Sequence, residues 1–126
     1  MPRIRTLKPE MWASGDISRL SREARLLVVG LITMADDDGR FLASPNAILG
    51  HVYPNDENVS PAQIRKWLTE ASENDEPVHL YDLDDVRYGC FPNWHIHQRI
   101  NRYGASKLPA PLLECAPREA RGGRDE

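Results

Sequence analysis

Apolar residues recur every three or four positions in three segments of this chain, and this spacing predicts three amphipathic helices. The longest begins after Ser21 and runs to about Ala35, where three aspartates and a glycine favour a turn. The second begins at Ser44 and Pro45, because serine can cap a helix and proline suits its first position. Pro54 ends this second helix.

The third helix begins at Ser60, and its start is the most clearly marked in the sequence. Pro61 suits the first helical position, and Gln63 stands where a capping box places its return hydrogen bond. An apolar stripe predicts that one face packs inward. That stripe consists of Ile64, Trp67, Leu68 and Ala71. The outward positions hold side-chain types that read DNA grooves, with an ordinary solvated face as the alternative interpretation. These positions are Arg65, Lys66 and Thr69.

Strand-forming residues appear at 40–42, 78–81 and 86–91, and the last two runs predict a β-hairpin joined by residues 82–85. The second and third helices form a helix-turn-helix pair that the hairpin follows. That order predicts an α+β fold, mainly α-helical, of the winged helix-turn-helix type, in which the β-hairpin is the wing.

The length of 126 residues fits about one domain. We assign residues 1–103 to the winged-helix domain with its N-terminal arm, and residues 104–126 to a flexible tail containing proline and arginine. Trp12 is large enough to anchor the arm on the core, which leaves the cations of the arm outside. A helical turn after the hairpin is expected to place Trp94 and Ile100 against the domain.

The net charge of −3 conceals segments of different sign. Counting Lys and Arg against Asp and Glu, residues 1–25 carry +3, residues 26–98 carry −8 and residues 99–126 carry +2. This balance argues against a protein whose whole surface attracts nucleic acid. Any binding of DNA must therefore use a local basic face.

Cysteine use and hydropathy indicate a cytoplasmic protein without a membrane partner. No apolar run approaches the roughly 18 residues of a membrane span, and the N-terminus lacks the apolar stretch of a secretory signal. Cys90 and Cys115 form no recognisable framework, so both are expected as free thiols in a reducing compartment.

Candidate metal and catalytic groups lack the surroundings that their chemistry needs. The run from Asp36 to Gly39 lacks the alternating ligands and the distal glutamate of an EF-hand calcium loop, which favours a helix-ending turn. His95 and His97 near Cys90 lack a paired Cys-x-x-Cys and a fourth zinc ligand. No nucleophile elbow or phosphate-cradling glycine loop occurs. We therefore expect no enzyme activity, no catalytic residue, no cofactor and no metal.

DNA binding requires cations placed against phosphates and a few side chains that reach base edges. Candidates occur on the third helix, the wing, the arm and the segment after the wing. They are Arg3, Arg5, Lys8, Gln63, Arg65, Lys66, Thr69, Arg87, Arg99 and Arg102. Asp82, Asp84 and Asp85 at the wing tip would repel phosphates, a conflict that a wing turned away from DNA resolves.

Three stretches of the chain carry a family resemblance. They are Arg3-Ile4-Arg5-Thr6-Leu7-Lys8-Pro9-Glu10-Met11-Trp12, the Ser21-to-Leu27 helix start with Ala35-Asp36-Asp37-Asp38-Gly39-Arg40, and Pro92-Asn93-Trp94-His95-Ile96-His97-Gln98-Arg99-Ile100. With them, residues 1–108 resemble phage-encoded winged-helix proteins related to the N-terminal domains of phage replisome organisers and replication initiators. The resemblance implies DNA binding in the cytosol of a host cell, with the recognition helix at Ser60–Glu73. Replisome organisers recruit helicase-loading partners through further C-terminal regions, whereas this chain has only a short tail after the wing.

Two functional hypotheses follow from the sequence. The first is a phage DNA-binding protein that occupies double-stranded DNA, in replication organisation or in transcription regulation. The alternative is an acidic protein-interaction module that binds a host or phage protein without contacting DNA, because acidic surfaces steer basic partners. A host or phage replication protein and a second copy of the chain are further candidate partners.

Overall fold

The computed structural model describes residues 3–98, 100 and 102–111, and these residues form a mixed α+β domain. The α-helices are α1 (Gly15–Ser18), α2 (Arg22–Met34), α3 (Pro45–Val52), α4 (Pro61–Ala71) and α5 (Trp94–His97). Two 3-10 helices span Pro9–Ala13 and Glu73–Asp75. The strands are β1 (Arg40–Leu42), β2 (His79–Leu83) and β3 (Val86–Cys90). The predicted combination of helices with a small sheet is confirmed.

The three helices predicted from apolar spacing are α2, α3 and α4, and each begins one residue after a serine. The Oγ atoms of Ser21, Ser44 and Ser60 accept hydrogen bonds from the backbone N–H three residues later. Proline occupies the first position of α3 and of α4. Each hydroxyl thereby satisfies one of the N–H groups that a helix start leaves without a partner.

The strands pair antiparallel in the order β1–β3–β2. β2 and β3 form the predicted hairpin, in which Leu83 pairs directly with Val86. The connecting turn therefore consists only of Asp84 and Asp85, whose φ angles are 52° and 63°. Aspartate tolerates this left-handed conformation better than most residues, so the turn is tighter than the loop predicted at 82–85.

The two faces of the sheet have different neighbours, because successive side chains of a strand point to opposite faces. Phe41 of β1 is buried on the face that covers the core, directly opposite Gly89 of β3. A Cβ atom at position 89 would lie 2.4 Å from Cζ of Phe41, so this close approach requires glycine. The other face carries Tyr81 and Tyr88, whose stacked rings have centroids 5.7 Å apart.

The core lies between α2, α3, α4 and the sheet. α2 packs against both α3 and α4, and its Leu27 and Leu31 are fully buried. Ile48 of α3 and Ile64 of α4 are buried to the same extent. Trp94 of α5 is also buried, as expected from the sequence. The apolar stripes of the three long helices thus meet in one core.

The N-terminal arm is held differently from the sequence-based expectation. Trp12 is 55% exposed, so it does not anchor the arm. Met11 packs against the core instead, because neighbouring side chains of a 3-10 helix point about 120° apart. Arg5 was expected to remain outside, but its side chain is only 5% exposed because it pairs with the buried Asp37.

Residues 104–111, assigned from the sequence to the flexible tail, contact the domain. The carbonyl of Leu108 accepts a hydrogen bond from Arg40 of β1, and the carbonyl of Pro109 accepts one from the hydroxyl of Tyr81. The packed part of the chain therefore extends past the domain boundary placed at residue 103. Backbone carbonyls of this irregular segment accept hydrogen bonds from side chains of the sheet.

Cys90, the last residue of β3, is disulfide-bonded, and the described residues include no free cysteine. The prediction of a free thiol at this position is wrong, and the inference of a reducing compartment loses its support. Two isolated cysteines have no spacing that distinguishes a bridge from two thiols. Cys115 lies outside the described residues, together with Arg99 and the remainder of the predicted tail.

Candidate nucleic-acid interface

α4 presents the polar face that its apolar stripe predicts. Arg65 and Lys66 are exposed, and neither forms an ion pair with a described carboxylate. Thr69 is exposed as well, and its Oγ1 donates to the carbonyl of Arg65 at 3.0 Å. Gln63 is exposed, but its Oε1 accepts the N–H of Ser60 at 2.8 Å in the predicted capping box. α4 therefore offers two unpaired cations and two hydrogen-bonding side chains to an external ligand.

The C-terminal end of α4 is fixed by Arg19, which follows α1. Its guanidinium donates to the carbonyls of Glu70, Glu73 and Glu76 at 2.6–3.3 Å. The carboxylate of Glu70 in turn accepts hydrogen bonds from the N–H and the hydroxyl of Ser21, at the start of α2. A cation at the carbonyl end of a helix complements the helix dipole. Sequence reasoning missed these residues, because contacts between distant charged and backbone groups leave no local pattern.

A groove of about 600 Å³ separates α4 from the tip of the β2–β3 hairpin. Arg65 and Leu68 line the groove from α4. Asp85, Val86 and Arg87 line it from the hairpin. Two of the cations selected from the sequence, one on α4 and one on the hairpin, therefore face the same space.

Arg87 is already held by a carboxylate of the same hairpin. Its Nε and Nη2 atoms donate to the two carboxylate oxygens of Asp82 at 3.0 and 3.3 Å, directly across the two strands. The hydrogen bond from Arg87 lowers the pKa of the Asp82 carboxyl, and the same bond raises the pKa of Arg87. With Asp84 and Asp85 in the turn, the hairpin tip carries three carboxylates and one guanidinium.

The cations of the arm lie at the other end of the sheet. β1 begins at the end remote from the hairpin turn, and the turn from Asp36 to Gly39 precedes it there. Asp37 in this turn forms ion pairs with Arg5 at 3.0 Å and with Arg3 at 3.2 Å. The Arg5 guanidinium also lies 5.0 Å from the ring centroid of Trp94. Arg5 thus holds the arm on the domain and presents no surface to a ligand.

The electrostatic surroundings of Asp37 keep it charged. Burial by itself would raise the pKa of its carboxyl. The backbone N–H of Gly104, a hydrogen bond from Arg5 and the charges of Arg3 and Arg5 outweigh burial, so the pKa of Asp37 is lowered. This carboxylate is the anchor of the arm, a role that the sequence did not indicate.

The neighbours of Asp37 bind the segment that follows α5. The hydroxyl of Tyr103 donates to the carboxylate of Asp38 at 2.7 Å, and the hydroxyl of Ser106 donates to Asp36. The three aspartates therefore act as acceptors for groups of the chain itself. Within the described ranges, no group of three or more His, Cys, Asp and Glu side chains is arranged to hold a metal ion.

The remaining sequence candidates that the structure describes do not join the groove between α4 and the hairpin. Lys8 of the arm donates to the carbonyl of Ile96 at 3.2 Å. Arg102 is exposed and adopts a φ of 58° next to Tyr103, which binds the Asp38 turn. The candidates among the described residues therefore do not form one continuous face. Those on α4 and at the groove are Gln63, Arg65, Lys66, Thr69 and Arg87, and we call this set the α4–hairpin surface.

Comparison with known proteins adds no relative. No family model, curated protein or solved structure matches this chain. None of the helices formed by the described residues is both long and apolar enough to cross a membrane. The case for a function therefore depends on the geometry of the α4–hairpin surface.

Proposed function

We propose that this chain is a winged-helix protein that binds double-stranded DNA through its α4–hairpin surface. The observation that carries the proposal is the element order α2–β1–α3–α4–β2–β3 combined with the sheet order β1–β3–β2. This arrangement leaves α4 with an outward polar face beside a hairpin. In helix-turn-helix proteins, the second helix of the pair lies in the major groove, which is the role proposed here for α4.

The side chains of α4 have different roles in the proposed binding. Arg65 and Lys66 neutralise phosphates and reach guanine edges, while Thr69 and Gln63 supply hydrogen bonds to bases. Arg87 faces the groove from the opposite side, where it is paired with Asp82. Arg3, Arg5, Lys8 and Arg102 are left out of this surface, because they lie near the other end of the sheet.

The small number of cations limits the affinity for DNA. Two unpaired cations, Arg65 and Lys66, serve the surface, and each phosphate contact makes the slope of log K against log salt concentration more negative by about 0.9. We therefore expect a slope of about −2 and weak binding to generic duplex. A protein of this kind acts by occupying its site, which suits phage replication organisation or transcription regulation.

The test is a fluorescence polarisation titration with a generic duplex at several NaCl concentrations. The Arg65→Ala/Lys66→Ala variant should bind more weakly, with a slope smaller by one to two units, at about 0.9 for each lost phosphate contact. The matched control is Arg102→Ala/Lys107→Ala, which removes the same charge from exposed positions of the segment after α5. Equal effects of the two double variants, or no binding of the unmodified protein at low salt, would contradict the proposal.

The second candidate function is an acidic protein-interaction module. It is favoured by the three carboxylates at the hairpin tip and by the exposed Asp56 and Glu57 ahead of α4. Such a surface attracts a basic partner and repels phosphates. A protein partner retained from nuclease-treated host lysate, together with no change in the polarisation of labelled duplex, would favour this function over DNA binding.

A further inference from the structure

We infer that Asp82 competes with DNA phosphate for Arg87 and thereby sets the DNA affinity of the α4–hairpin surface. The inference rests on the proposed DNA-binding function and adds to it a residue that limits binding. Its starting point is the pairing of Arg87 with a carboxylate at the edge of the groove.

The geometry of the pair is the one that a phosphate uses. Two N–H groups of the Arg87 guanidinium meet the two oxygens of Asp82 at 3.0 and 3.3 Å. A guanidinium fork binds a carboxylate and a phosphate through the same two parallel hydrogen bonds. A phosphate can therefore take this site on Arg87 only by displacing Asp82.

The pair also lies where a DNA strand would pass. Asp82 and Arg87 are register partners, so their side chains leave the same face of the hairpin. Leu80 and Gly89 lie on the same face, each two residues farther from the turn than Asp82 and Arg87, and they cover the core. Nearer the turn, Arg87 lines the groove opposite Arg65. The exposed fractions of the Arg87 and Asp82 side chains are 51% and 58%, so an external anion can reach both.

The charges around the groove cancel as long as Asp82 is ionised. Arg65, Arg87 and Asp85 line the groove, and Asp82 adjoins it through its pair. These groups supply two positive and two negative charges, so their sum is zero and the attraction of the groove for phosphate is weakened. Neutralising Asp82 gives the groove a net positive charge and also leaves Arg87 without a charged partner.

The variant Asp82→Asn tests the inference in the same polarisation titration. Asparagine keeps the shape of the side chain but has no charge with which to hold the guanidinium. One additional phosphate contact should then form, so the salt slope becomes steeper by about 0.9. We expect DNA binding to tighten by about tenfold at low salt, with the gain declining as salt increases.

The matched control is Asp84→Asn, which removes the same charge from the same hairpin without touching the pair. Asparagine tolerates positive φ as aspartate does, so the turn is preserved. Reduced repulsion alone should tighten binding by about twofold without changing the number of phosphate contacts. Adding Arg87→Gln to Asp82→Asn should abolish the tenfold gain, because the freed guanidinium is its source. Circular dichroism melting confirms that each variant folds.

The possible outcomes distinguish failure of the inference from failure of the proposed DNA-binding function. If the unmodified protein binds duplex and Asp82→Asn has the same effect as Asp84→Asn, the inference is overturned and the proposed function is retained. The same holds if the gain survives Arg87→Gln. If neither the unmodified protein nor Asp82→Asn binds duplex at low salt, both the inference and the proposed function are overturned.

Discussion

The ion pair between Arg5 and Asp37 should contribute far more to stability than its neighbour between Arg3 and the same carboxylate. The Arg5 and Asp37 side chains are only 5% and 6% exposed, whereas Arg3 is 43% exposed. Removing one partner of a buried pair leaves an uncompensated charge and typically costs about 3–5 kcal/mol. Exposed pairs contribute about 1 kcal/mol or less.

The perturbation is Arg5→Met, which keeps an apolar stem beside Trp94 but removes the charge. Asp37 would retain the N–H of Gly104 and the exposed Arg3, so we take the lower limit, about 3 kcal/mol. For a domain of this size that corresponds to a fall in Tm of about 10 °C. The matched control is Arg3→Met, for which we expect a fall of about 3 °C.

The assay is thermal and urea denaturation followed by circular dichroism, completed as a double-mutant cycle with Asp37→Asn. The double variant Arg5→Met/Asp37→Asn should be less destabilised than the sum of the single variants by at least about 1 kcal/mol, because it leaves neither charge of the buried pair behind. Equal effects of Arg5→Met and Arg3→Met, or an additive cycle, would refute the assignment of Arg5 as the buried anchor of the arm.

Three further predictions concern stability. Because the pKa of Asp37 is lowered in the folded state, its contribution is complete above its unfolded pKa of about 3.9 and is lost as the pH falls through the folded value. Urea denaturation below about pH 4 should therefore cost the unmodified protein more stability than Asp37→Asn, and parallel pH profiles would contradict this. Ser60→Ala should cost about 1 kcal/mol in urea denaturation, because it removes the capping box of α4, and an unchanged midpoint would contradict that role. Gly89→Ala should cost about 1–3 kcal/mol in the same assay, because its Cβ would lie 2.4 Å from Phe41. Its control Gly50→Ala, with nothing within 4 Å, should not destabilise, and equal losses would show that the Phe41 contact is not the cause.

The elements predicted well are those whose signals are local. Ser60, Pro61 and Gln63 mark the start of α4 through contacts within four residues, and the capping box forms as predicted. The apolar stripe of α4 likewise predicts which side chains are exposed, since helix geometry alone determines their direction. The hairpin could be placed from its strand-forming runs, although its turn is shorter than predicted.

The features that were missed depend on distant parts of the chain. Nothing near Arg5 indicates that it pairs with Asp37, because the contact exists only after α2 and β1 have formed. Trp12 was expected inside and Arg5 outside, and both expectations were wrong. The exposure of Trp12 is determined by its position in a short 3-10 helix and not by its hydrophobicity. Arg5 is buried because it pairs with Asp37. Within the candidate site, the exposure of Arg65 and Lys66 followed from the sequence, but the grouping with Arg87 required the sheet register.

The most direct test of the central claim is an NMR titration of the isotopically labelled protein with generic duplex at low salt. The α4–hairpin surface predicts that amide shifts or broadening concentrate at residues 61–71 and around Arg87. Residues 102–108, near the other end of the sheet, should change little. Changes confined to the arm and to residues 102–108, or no change at saturating DNA, would contradict the claim that α4 contacts DNA.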